Sequence, residues 1–162
     1  MKQSGIFTTL GMCATILLGA PIASADQTYH SERLDLQLTQ AGAGAGHPSL
    51  RSGHVVNIHP NGAINGALER YMINGAKPNT SYHVEILVFD SLLDKQCLGG
   101  LVFFVPTATM TTNAQGSAHG QGHFSRADLA SFKGAVLPVK WSLLDDNDVS
   151  AYESRCTVVT VD

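Results

Sequence analysis

The chain reads as an all-β protein, an antiparallel sandwich or barrel of about eight short strands with one disulfide. Three observations predict this. Apolar residues recur with period two through most of the chain, and Gly, Pro and Asn turns interrupt them at short intervals. Two cysteines, Cys97 and Cys156, remain once an N-terminal leader is set aside.

The leader comes first. Residues 1–25 carry one charge, Lys2, then an apolar run from Ile6 to Ala20, and end in Ala23-Ser24-Ala25. That is the layout of a secretory signal peptide cleaved before Asp26. The run is too short and too rich in Gly and Thr to span a hydrocarbon core of ~30 Å. Cys13 leaves with it. Removing 25 of 162 residues leaves 137, which suits one folded domain. An even cysteine count in an exported chain reads as a bridge. Closing Cys97 to Cys156 would stabilise by roughly 4 kcal/mol in the chain-entropy account.

The strands follow in order. "RLDLQL" alternates Leu34, Leu36 and Leu38 against Asp35 and Gln37, the pattern of a half-buried strand. "AGAGAGHPS" reads as a flexible low-complexity joint, which divides residues 26–52 from a sandwich domain over 53–162. "GHVVNI" is a short strand closed by a turn at His59-Pro60-Asn61-Gly62. "GALERYMI" reads as the next strand, although Ala, Leu, Glu and Arg also favour helix. "SYHVEILVFD" is the strongest, with Tyr82, Val84, Ile86 and Val88 on one face. "LVFFVPTATMTT" and "GSAHGQGHF" flank Asn113-Ala114-Gln115-Gly116, a hairpin turn with Gly at the left-handed position. "SRADLASF" reads as a helical turn capped by Ser125. "AVLPVKWSLL" and "SRCTVVTV" end the chain. Pro106 and Pro138 place their strands at an edge or a bulge.

Charge excludes some partners. Without Lys2, 9 basic residues face 13 acidic ones, a formal charge of −4. No basic stripe suits nucleic acid, and no polybasic cluster suits anionic lipid. Once the leader is gone, no apolar run of spanning length is left to insert into a membrane.

Candidate chemistry is sparse. His83 and Glu85 share a strand face, about 6.5–7 Å apart. Two ligands fall short of the three or four that zinc needs, so the pair reads as a polar outer face. His119 and His123 lie roughly 13 Å apart on a strand, too far for one ion. Asp145, Asp146 and Asp148 lack the Gly and Glu of an EF-hand loop and read as a polar turn. No nucleophile elbow of the GxSxG kind occurs.

The order of motifs resembles the copper/zinc superoxide dismutase family, from about Gly53 to Val161. Tyr82-His83-Val84 is similar to that family's Phe-His-Val. Asp90 precedes a loop to Cys97, Pro106 follows in a Phe-x-Pro-like place, and "TTNAQGSA" is similar to the family hairpin. "VKWSLLDDND" and Arg155-Cys156-Thr157-Val158-Val159 complete the likeness. The resemblance implies a Greek-key β-sandwich with the same disulfide. It also argues against dismutase activity. Glu85, Phe103 and Trp141 stand where metal-binding histidines would be, the zinc loop is absent, and only His83 matches a ligand position. A shorter stretch, Ala76-Lys77-Pro78-Asn79-Thr80-Ser81-Tyr82, resembles fibronectin type III domains and implies the same immunoglobulin-like sandwich.

The expectation is a secreted or periplasmic β-sandwich with no catalytic residues, no metal ligands and no cofactor. It would act as an interaction module for a protein or small-ligand partner. A metal-binding or redox protein on the dismutase frame is the alternative.

Overall fold

The computed structural model describes residues 29–60, 66–90 and 96–161. The expected leader, the Asn61-Gly62 half of one turn and residues 91–95 lie outside them. Among these described residues nine strands form, all paired antiparallel: β1 (Tyr29–Leu38), β2 (Ser52–Pro60), β3 (Ala67–Asn74), β4 (Ser81–Phe89), β5 (Leu101–Thr111), β6 (Ala118–Phe124), β7 (Val136–Asp145), β8 (Ser150–Ser154) and β9 (Thr157–Thr160). Two short helices join them, α1 (Gln40–Gly44) and α2 (Arg126–Leu129).

The strand order is β5-β4-β7-β8-β1-β2-β3-β6, with β9 paired to β7. β1 spans two halves. Residues 29–35 ladder to β2, and Leu36 to Leu38 ladder to β8. The two end strands, β5 and β6, touch each other without laddering. The sheet is thus nearly a barrel with one unlaced seam. The turn across that seam is well made. Asn113 N donates to Ser117 O at 2.9 Å, and Gly116 takes the left-handed conformation with φ 73°.

Period-two patterning holds along the strands. Leu34, Val55, Tyr71, Ile73, Tyr82, Val84, Trp141, Leu143 and Tyr152 are buried and fill the interior. Each such side chain is worth roughly 1.5–3 kcal/mol against leaving it in water. β6 turns glycines inward. A Cβ at Gly120 would sit 2.7 Å from Met110 Cγ, and one at Gly122 would sit 3.0 Å from the Tyr71 hydroxyl. Only glycine lets Met110 and Tyr71 fill the seam. Pro106 is on end strand β5 beside a bulge, and Pro138 lies beyond the last β4–β7 pair, Val88–Val139.

One reading needs correction. The expected flexible joint is helix α1 and a packed loop. Thr39 caps the helix by accepting from Gly42 N at 2.9 Å. Gly42 lies flat on β8, where any Cβ would come within 2.4 Å of Ala151 O. Close packing demands glycine at position 42 alone, while Ala41, Ala43 and Gly44 are exposed. Among the described residues the expected eight or so strands number nine, the tail breaking at Arg155-Cys156 into β8 and β9. The Ser125 cap is present as a full capping box with Asp128.

Candidate interaction surface

β5 is an end strand whose first half is apolar and open. Leu101, Val102 and Phe104 are 53%, 60% and 55% exposed. Among the described residues its ladder runs to β4 alone. Bulges between Val84 and Glu85, and between Val88 and Phe89, leave Thr107 and Val102 on β5 without direct opposites. Leu87, half-buried on β4, stands directly across from Phe104. Leu98, Val136 and Val158 add further exposed apolar surface on the preceding loop and on β7 and β9. Lys140 lies 5.8 Å from the Phe89 ring. Phe103 stacks on Phe132, with centroids 5.4 Å apart, and so holds the segment after α2 against β5.

The disulfide frames this surface. Cys97 and Cys156 are bonded, with Cα atoms 5.7 Å apart. The bridge ties the loop entering β5 to the link between β8 and β9. Cys97 itself has φ 56°, so the bridge also holds a left-handed turn.

The other sequence candidates are separate. His83 is exposed and its Nδ1 lies 3.1 Å from Thr109 Oγ1. Glu85 is half-buried, and burial, then the charge of Asp148, raises its carboxyl. His119 and His123 both lie exposed on the outer face of β6. Among the described residues, no group of three or more His, Cys, Asp or Glu is placed to hold a metal. No described helix is long and apolar enough to cross a membrane. Trp141 and Phe103, aligned with family ligand positions, are respectively buried in the core and half-buried.

Two buried polar networks escaped the sequence reading. His47, from the supposed joint, is 4% exposed and enters the barrel end. Its Nε2 lies 2.9 Å from Asp145 Oδ2, and its Nδ1 lies 3.0 Å from the Tyr82 hydroxyl. The rings of His47, Tyr82 and Tyr152 pack mutually, with centroids 5.7–6.0 Å apart. Asp145 is therefore no solvent-facing turn residue. Its Oδ1 accepts from Asn147 N at 2.9 Å and Val149 N at 3.1 Å. Burial works to raise its carboxyl, but the bonds from His47, Val149 and Asn147 outweigh this and hold it below the usual range.

The second network lines the seam. Glu69, 2% exposed, hydrogen-bonds Tyr71. The Tyr71 hydroxyl lies 2.7 Å from Thr107 Oγ1, which donates to Val84 O at 3.2 Å. These three contacts need three hydrogens. Tyr71 and Thr107 supply two, and when Tyr71 donates to Glu69 its contact with Thr107 is left without one, so a protonated Glu69 would supply the third. Burial agrees and pushes its carboxyl up to about 7, against smaller opposing effects of Tyr71 and Trp141. The Trp141 Nε1 remains buried without a hydrogen bond of ordinary geometry. The parity of Glu69 with Tyr71 and Ile73 in "ALERYMI" was the available signal for its inward position.

No family model, no curated protein and no solved structure matches this chain.

Proposed function

We propose that the chain is an exported, non-catalytic binding module that takes an extended segment of a partner protein onto β5. The observation behind this is the open apolar edge of Leu101, Val102 and Phe104. A sheet edge offers unpaired N–H and C=O groups to another strand, and side-chain contacts beside it give selectivity. Soluble chains ordinarily blunt such edges with charge or proline, because bare ones aggregate. Here Pro106 blunts only the middle of the strand.

The Cys97–Cys156 bridge supports an oxidising compartment, in keeping with the leader read at residues 1–25. The order β7-β4-β5, with β6 touching β5, supports a Greek-key connection of β4 to β7. That connection fits the dismutase-like frame, and the loss of its ligands fits a frame reused for binding.

The test is Val102→Lys and Phe104→Lys in the full chain. A photo-crosslinker at position 101, also on the exposed edge, should capture a partner from the exported fraction. Either substitution should abolish capture while the melting temperature stays within a few degrees. Equal capture by the lysine variants would refute the reading. A dimer that Phe104→Lys dissolves would reassign the edge to self-association.

A further inference from the structure

We propose that the outer face of the β2–β3–β6 sheet carries a copper(I) site made by His54, Met72 and His119. Strand register assembles it. His54 on β2 stands directly opposite Met72 on β3, and Met72 stands directly opposite His119 on β6. Their strand neighbours Val55, Tyr71, Ile73 and Ala118 are buried, so the pleat turns all three outward. Met72 is 47% exposed and His119 is exposed.

Directly opposed residues on one sheet face have Cβ atoms about 4.5–5.5 Å apart. The two imidazoles therefore flank the thioether, one from each side. Both are long enough to lean toward a point above its sulfur. This set is invisible in sequence order, because the three residues come from three separate strands.

A second observation points to a ligand. His54 Nδ1 is buried and bonds no protein group. A buried polar atom without a partner is costly, and a metal would supply the partner.

The donor set selects the metal. A thioether is a soft ligand that favours copper(I), and imidazole suits copper as well. The hard oxygens that calcium or magnesium would need are missing. Asp35, across from His54 on β1, is 3.6 Å from Arg33 and lies on the far side from Met72. His123 is two residues beyond Gln121, roughly 13 Å from His119, and stays outside the site.

The experiment is anaerobic titration of the full chain with copper(I) against a chromophoric chelator. Every version carries Cys13→Ser, so that no free thiol competes. One copper(I) per chain is expected, with shifts of the Met72 methyl and of the His54 and His119 ring protons in NMR spectra. Met72→Leu and His119→Ala should each weaken binding at least tenfold, while His83→Ala and His123→Ala leave it unchanged. Circular dichroism checks that each variant is folded. Absence of a one-to-one complex would overturn the proposal. So would equal affinity in Met72→Leu, or stoichiometric zinc(II) binding that ignores Met72 while copper(I) is not held.

Discussion

Replacing Glu69 by Gln should change how stability depends on pH. The wild-type carboxyl titrates near 7 in the folded chain, against 4.5 for an ordinary glutamate. The folded state therefore holds a proton that the unfolded state gives up between those values. Stability falls as pH rises wherever the native state binds more protons. The contribution of Glu69 is thus complete below about pH 4.5 and is lost as pH rises through about 7. The gap of roughly 2.5 units corresponds to about 3 kcal/mol. The substituted amide would keep the shape and still donate a hydrogen to Tyr71, but it cannot ionise. Urea unfolding of both chains from pH 4.5 to 8 is the assay. The two should be similar at the acid end, and the variant should gain about 3 kcal/mol on wild type by pH 8. The difference removes the titration of other groups, including Glu85 and His54. Parallel curves would show that Glu69 is ionised in the folded state, and would refute the count of hydrogens in the seam.

Four further outcomes follow from the packing. Cys97→Ala should lower stability by about 2–4 kcal/mol, read by denaturant midpoint, and the native wild type should show no labelling at Cys97 or Cys156. His47→Ala removes one buried partner from the Asp145 carboxylate and one from the Tyr82 hydroxyl, and should cost about 1–3 kcal/mol with faster amide exchange in α1. Gly122→Ala pushes a methyl against Tyr71 and Thr107, and should cost about 1–3 kcal/mol by thermal melting. Intact mass of exported protein should correspond to a chain starting at Asp26, and a retained leader would remove the argument for secretion.

How much of this was legible depends on the range of the interaction. Strand patterns are local, so β2, β3, β4 and β7 could be read from alternating residues, and the Ser125 cap from four consecutive ones. The disulfide needed only an even count of cysteines and an exported context. α1 was misread because Ala and Gly looked like filler. The reason for Gly42 is Ala151, more than a hundred positions away. His47 was missed for the same cause, since its partners Tyr82 and Asp145 come from β4 and β7. Glu69 is different: its parity with Tyr71 and Ile73 was on view, but its polar partner Thr107 comes from β5, more than thirty positions on. The row of His54, Met72 and His119 depends on register across three strands, which no single segment encodes.

The divided pairing of β1 has a consequence for the order of folding. Its first residues close on β2, nearby in the chain, but its last three must wait for β8. Thr39 reaches Ser150 across 111 positions, and His47 reaches Asp145 across 98. Such distant closures are entropically late, and chains dominated by them assemble slowly. The barrel end sealed by His47 is therefore completed only after almost the whole chain is available. Until then the β1–β2 hairpin and the β4–β5 hairpin can form, but nothing holds them together. Maturation hinges on a clasp between the two ends of the polypeptide, and the Cys97–Cys156 bond secures that late-arriving tail once it is in place.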